Sequence, residues 1–567
     1  MIWTGIIMLR PRFTSKALLL NFLLTCSALT GGSGYVLANP EGGIVVGGAA
    51  TIQTSGTQTT ITQNTNRAAI NWSSFNVNAN ETVRFNQPSS SSIALNRVRG
   101  NNRSNILGSV QANGSIFLIN PNGVVFGQGA KIDAAGIVAS TADMDTDAFM
   151  NTSGTFNFSI AGNPSAKIIN QGQINAREAG LVGLVAPQIE NSGIITARLG
   201  RIQMGAADIA AVDLYGDSLI SLEVTNDHLK SIAQNGALYA DGGLIQITAA
   251  AGKDVVNSLI GASGYISAKT IGSQQGKILI YAQGSNAVEN NTATDKGKRT
   301  GKSKLMVDAI LDASGYGMGQ TGGSIALLAD EVEVASGTIA DASGDQGGGE
   351  ILVGGDYLGS GETPASISTY VDPNSFFLNN AVSSGNGGKT IVWSDSNTEF
   401  YGNIFSRGGS EGGNGGFAET SGHAHLTAQG YVDLTAPKGE KGTYLLDPAN
   451  IAIYGNVTPR FQATDLSVNL LSSLRFWVDG GDTSTVLLNY NNNALSGALV
   501  NGVAGNNTLI TTTNLNLTTV LAAGAKIRLG NTNGQTALAN DTSNVDTYTI
   551  QSINYIAGVG TSITLTS

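Results

Sequence analysis

Two histidines, His423 and His425, stand at alternate positions of Gly422–Ala428. On a strand such residues face one side, so the pair could hold a metal ion or a haem. A third ligand is missing nearby and His228 lies far upstream, so the pair is read as exposed strand residues and no metal is assigned. Five carboxylates, Asp372, Asp395, Glu399, Glu411 and Glu419, could line one face of a repeating fold and work as general acid and base on a glycan. Alternation alone scatters acids in this way; no catalytic residue is assigned and the chain is read as a non-enzyme. Thr300-Gly301-Lys302-Ser303 ends like a phosphate-binding loop, but that pattern needs glycine where Lys296 stands. Gly317–Gly322 satisfies GxGxxG, yet a strand pattern follows where a dinucleotide fold requires a helix. Neither is kept, and no cofactor is expected. There remains a basic cluster, Lys296, Lys298, Arg299, Lys302 and Lys304. It offers positive charge to sulfated or sialylated surface glycans, the alternative being a solvated insertion.

The elements that must carry these residues are short. Of 567 residues 75 are glycine, and 12% are charged, a composition poor in helix formers and rich in turn formers. With 41% hydrophobic residues the chain can still bury a long, thin core. Arg10, Arg12 and Lys16 precede an apolar stretch, Ala17–Leu29, and Val36-Leu37-Ala38 then suits signal cleavage between Ala38 and Asn39. Met8 is an alternative start. Cleavage removes those three basic residues and no acid, taking the net charge from −10 to −13. Such a chain is not expected to bind nucleic acid or an anionic membrane in general. Cys26, the single cysteine, falls within the signal, and Thr25 before it fits lipidation poorly. A mature chain without cysteine suits passage through a pore unfolded, since no disulfide can block threading. No later apolar run is long enough for a transmembrane helix, and the final ITLTS lacks the aromatic end of a barrel strand, so a separate pore is expected.

Internal repetition sets the architecture. IINQGQINA (Ile168–Ala176), IENSGIITA (Ile189–Ala197) and IAQNGALYA (Ile232–Ala240) repeat one phrase. Their central glycines, Gly172, Gly193 and Gly236, are 21 and 43 residues apart, read as one coil and then about two. Asp312–Gly315 and Asp341–Gly344 repeat DASG, and Gly385–Gly388 and Gly413–Gly416 repeat GNGG, each followed by a strand pattern. A period of this kind without helical patterning predicts a solenoid whose coils stack at strand spacing. About 16–18 coils and a rod of roughly 80 Å are expected. The sequence before Val83 is read as a cap over the open end. Within the repeats, Asn120-Pro121-Asn122-Gly123 fits a type I turn: Asn at the first place, Pro presetting φ at the second, Gly at the fourth.

VRFNQPS (Val83–Ser89), ALNRV (Ala94–Val98), ILGSVQANGSIFLINPNGVVFG (Ile106–Gly127) and GIVAST (Gly136–Thr141) occur in this order. Together they resemble the N-terminal secretion domain of the filamentous haemagglutinin family. Gly442–Gly455 carries a further phrase similar to such exoproteins. The resemblance implies an all-β, right-handed parallel β-helix with an N-terminal β cap. It also implies export from a Gram-negative bacterium by an outer-membrane barrel transporter of the two-partner type, with Asn120, Pro121, Asn122 and Gly123 as the secretion motif. The expected role is an adhesin bound to host-cell or bacterial surface glycans or proteins; haem or haemopexin capture is the alternative and a glycan-cleaving β-helix enzyme the third. The expected organisation is a signal at 1–38, a secretion domain at 39–290, a basic insertion loop at 291–304, Gly-rich repeats at 305–437 and a β-rich region at 438–567.

Overall fold

The computed structural model describes residues 39–447, without 153, 215–220, 227, 251–257, 284–302 and 361–362, and six later strands between 475 and 566. Each full coil places three short strands in turn, as Val124–Phe126, Lys131–Ala134 and Gly136–Ser140 show. We call the ladders they join the first, second and third faces. The third face is a 14-stranded sheet running from Ile44–Gly47 to Thr443–Leu445. The first and second faces merge into a 23-stranded sheet, because the ten-residue strands Ser258–Ser267 and Ser303–Asp312 span both. Coil-to-coil pairing is parallel throughout, so the chain is a parallel β-helix.

Strand periodicity fills the interior. On the second face Ile132, Ile174, Ile195, Leu238, Ile266 and Leu311 are neighbours in register, each at most 1% exposed. Alternate residues of the same strands point outward. The phrase repeat also has a polar layer. Asn170 Nδ2 donates to Asn191 Oδ1 at 2.7 Å, and Asn191 Nδ2 donates to Gln234 Oε1 at 2.7 Å, all buried. The repeat glycines are required by close stacking: a Cβ on Gly193 would lie 2.2 Å from the Gly172 carbonyl oxygen, and one on Gly236 2.1 Å from that of Gly193.

That register corrects the repeat count. Gln234 lies directly over Asn191, so the 43-residue interval is one coil with an excursion rather than two coils. The excursion leaves to build Ile209–Asp213, which pairs antiparallel with Thr155–Phe158, and Ser221–Glu223, which pairs antiparallel with Ile209–Asp213, in an outer three-stranded sheet. With the helix Thr146–Asn151 this sheet covers part of the third face. Ser115–Ile119 is therefore buried on both sides, and Phe117 packs on Phe156 with ring centroids 4.9 Å apart. Such excursions raise the coil to roughly thirty residues, so the third face has 14 strands and the stack is about 60 Å long, shorter than expected.

The cap is antiparallel. Ile44–Gly47 pairs with Arg67–Trp72, and Ala50–Ser55 with Gln58–Gln63, which occupies the edge that the first coil would otherwise offer. At the other end the stack passes residue 437, since Thr443–Leu445 adds to Phe417–Glu419. Ser303 and Lys304 also belong to a strand, paired with Ser258 and Leu259, rather than to an insertion loop. Beyond residue 474 the six described strands form an antiparallel sheet of their own.

Candidate functional site: the Asn120–Gly123 corner

The motif turns the chain from the third face to the first face of the next coil. Gly123 N donates to Asn120 O at 3.0 Å, closing a four-residue turn. Asn122 keeps a negative φ, as a type I turn needs and a type II turn forbids. Gly123 has φ +108, and a Cβ there would stand 2.6 Å from the Lys167 carbonyl oxygen, so both conformation and space demand glycine. Asn120 is fully buried. Its Oδ1 accepts from Asn122 N at 2.9 Å, and its Nδ2 donates to Asn102 O and Ser104 Oγ, each at 3.0 Å. Asn122 Nδ2 donates to Gly100 O at 3.1 Å, and Pro121 O accepts from Asn163 N at 3.0 Å. The four residues thus tie the coil before to the coil after. They form a structural corner, with Pro121 and Asn122 half-exposed.

Residues in the neighbouring words tie other parts of the same coils, and sequence reasoning gave them no role. Arg97 is buried on the third face, where its Nε donates to Asp143 Oδ1 at 2.6 Å and its guanidinium also reaches Met144 O and Thr146 Oγ1. Gln87, 7% exposed, receives Gly114 N at 2.8 Å and donates to Gln63 Oε1 at 3.2 Å, while Asn113 and the Gln87 backbone exchange two bonds at 2.7 Å. A charged arginine in a strand whose other residues are apolar except Asn96 was the available signal for the first of these.

The other candidates are dispersed. His423 and His425 do not share a strand: one strand ends at Gly422, the next begins at His425, and both histidines are exposed at the corner between them. Among the described residues no three His, Cys, Asp or Glu side chains are placed to hold a metal ion. The five carboxylates do not line one face. Asp372 caps its own turn through Asn374 N, Glu399 faces outward on the first face, Asp395 meets Trp393 Nε1, and Glu411 is exposed in a Gly-rich corner. Glu419 is fully buried on the outer side of the third face, where Leu358 N donates to both carboxylate oxygens at 3.3 Å. Burial pushes its carboxyl above the ordinary range, against the opposing Ser421 hydroxyl and Leu358 N–H. Gly317–Gln320 is a closed turn in which Gln320 N donates to Gly317 O, followed by the strand Ser324–Leu328. Lys304 pairs with Glu333 at 2.8 Å on the first face, and Lys296, Lys298, Arg299 and Lys302 lie outside the described residues, as does Ala38. Asn39 is the first residue described; its backbone N–H donates to the buried Glu81 carboxylate at 2.9 Å.

With this geometry in place the likenesses are specific. Residues 37–298 match the TPS secretion domain. A heme/hemopexin-binding protein of Haemophilus influenzae is 32% identical over 264 residues, 46% of this chain and 29% of that protein. A second heme/hemopexin-binding protein from the same species is 40% identical over 126 residues, 22% of this chain and 13% of its own length. The chain therefore spans less than a third of these curated relatives. The crystal structure of the HMW1 secretion domain from Haemophilus influenzae superposes with a TM-score of 0.60 at 28% identity, covering 72% of this chain and 100% of that one. The buried corner at Asn120–Gly123 and the capped parallel β-helix around it lie inside the match at residues 37–298, so this chain carries a TPS secretion domain, the export module of two-partner exoproteins sent across the Gram-negative outer membrane.

Proposed function

We propose that the exported chain is an adhesive rod that presents its coil faces to glycans or proteins on host cells or other bacteria. The observation that carries this reading is the continuation of one β-helix from the secretion domain to residue 445, a scaffold of repeated outward rows. Repeated weak contacts along such a surface add up to avidity without one dominant residue. The signal is proposed to be cut between Ala38 and Asn39. In support, the new amino group of Asn39 would face the Glu81 carboxylate, a charge-assisted bond to a carboxylate that is 7% exposed. Lys296, Lys298, Arg299 and Lys302 are proposed as a patch for sulfated glycans; Lys304, matched by Glu333, adds little to it. Reversing Lys298, Arg299 and Lys302 to Glu should weaken binding to heparin-coated surfaces and remove most of its salt dependence, because screening acts on exposed charges. Binding that survives the reversal at low salt contradicts the patch.

A second reading, haem or haemopexin acquisition, is favoured by the names of the two relatives. Titration of the purified chain with haemin decides it: a saturable Soret shift at one equivalent supports capture, and a featureless linear rise opposes it.

A further inference from the structure

The outward rows of the second face change character along the rod. From the cap onward one row runs Gln58, Thr82, Ser109, Lys131 and Gln173, all polar. In unbroken register it continues as Ile194, Ala237, Tyr265, Ile310, Ile339 and Phe376, all apolar or aromatic. These side chains point away from the core, for the residues beside them, from Ile195 to Phe377, are at most 1% exposed. Ile194 and Ile310 are 40% and 42% exposed. Five coil steps make this strip about 24 Å long, and the adjacent outward row lies about 7 Å away. In that row Tyr239 packs on Tyr265, with ring centroids 5.7 Å apart, and Asp312 and Asp341 follow in register. Asp312 Oδ2 accepts from Tyr265 OH at 2.8 Å and pairs with Lys269 Nζ at 3.1 Å, and Asp341 Oδ2 accepts from Tyr316 OH at 2.6 Å, which stands both phenols beside the strip.

We propose that this strip binds a linear, uncharged glycan lying along the rod axis, a proposal that rests on the adhesive reading above and names its ligand class. Area excludes a stable protein partner: the strip covers on the order of 200–300 Å², against the ~800 Å² per partner that a stable protein interface buries. An extended peptide would gain its affinity from a free strand edge, and these strands are paired on both sides. A sugar ribbon needs no edge. Equatorially linked sugars present flat C–H faces that stack on Tyr265, Ile310 and Phe376, while a rim hydroxyl donates to the Asp341 carboxylate. The strip carries no charge of its own and the flanking Lys269 is paired with Asp312, which separates this ligand from the sulfated glycans proposed for the basic patch.

The test uses the full exported chain and a β-1,4-linked gluco-oligosaccharide series from cellobiose to cellohexaose, followed by titration calorimetry. Affinity should rise with each added sugar and stay level between low and high salt. The Ile310→Ser/Phe376→Ser variant should bind cellohexaose at least tenfold more weakly, whereas Gln173→Ser on the polar part of the same face should bind like wild type. Thermal unfolding of each variant verifies the fold; if the double variant unfolds early, Ile194→Ser at the strip's end replaces it, with a loss of binding to the longest sugars expected. No binding by the wild type, binding indifferent to these substitutions, or preferential binding of apolar peptides at the strip overturns the proposal. Attachment of the wild type to cells is measured in parallel. Attachment without oligosaccharide binding sinks the strip alone, and absence of attachment sinks the adhesive reading.

Discussion

Replacing Asn120 by alanine removes three hydrogen bonds from the Asn120–Gly123 corner and leaves the backbone free to keep its turn. The partners abandoned are Asn122 N, Asn102 O and Ser104 Oγ. Each lost bond costs about 1 kcal/mol net, and a buried group left unpaired costs ~1–3 kcal/mol. Ser104 can rotate its hydroxyl, and the half-exposed Asn122 backbone can reach water, so about 3 kcal/mol is expected in total. Against a domain stability of ~5–15 kcal/mol this weakens the fold without abolishing it. Urea unfolding of the purified chain should show a lower midpoint at unchanged slope. Asn120→Asp keeps the Oδ1 acceptor but loses both donors, and should fall between. Ser104→Ala should cost less in the Asn120→Ala background than alone, because the two residues share one bond. Export in a pulse–chase should decline in the same order. Alanine at all four positions should be worst, since Gly123→Ala adds strain at φ +108 and a 2.6 Å approach to Lys167 O. Lost export with an unshifted unfolding midpoint would refute the reasoning and mean that the partner reads the Asn120 side chain itself.

Two further predictions concern buried charge. Glu419 has a raised carboxyl pKa in the folded chain, so the folded state holds its proton more tightly than the unfolded state. Stability from this site is fully present below the ordinary carboxylate pKa of 4.5 and is lost as pH rises above it. Glu419→Gln should therefore raise the unfolding midpoint at pH 7 and flatten its pH dependence above 4.5; a variant less stable than wild type at pH 7 contradicts this. Lys230 and Asp208 pair at 3.0 Å with 0% and 1% of their side chains exposed. Lys230→Met should cost ~3–5 kcal/mol by stranding Asp208, and adding Asp208→Leu should recover most of it; denaturation of both variants checks the recovery.

The sequence revealed most where period and packing coincide. The NQG, NSG and QNG phrases are adjacent rungs because a carboxamide ladder and touching glycine backbones impose one residue pattern on every coil. The turn at Asn120–Gly123 was legible for a similar reason, as Pro, Asn and Gly each have a local conformational role there. Excursions were not legible. The 43-residue interval hides a strand, Ile209–Asp213, that pairs with Thr155–Phe158, a contact that no local period encodes. Burial on the outer side escaped as well: Glu419 alternates like a surface residue, but Leu358, on a segment sixty-one residues earlier, lies over it. His423 and His425 share strand spacing in the sequence, yet the corner after Gly422 parts them.

The most direct test of the account is export of the full chain with and without its outer-membrane partner. With the partner present, the chain should reach the medium or the cell surface, and N-terminal sequencing should read Asn39 as its first residue. Without it, the chain should stay in the periplasm and be degraded. Equal export in both strains would contradict assignment to the two-partner route.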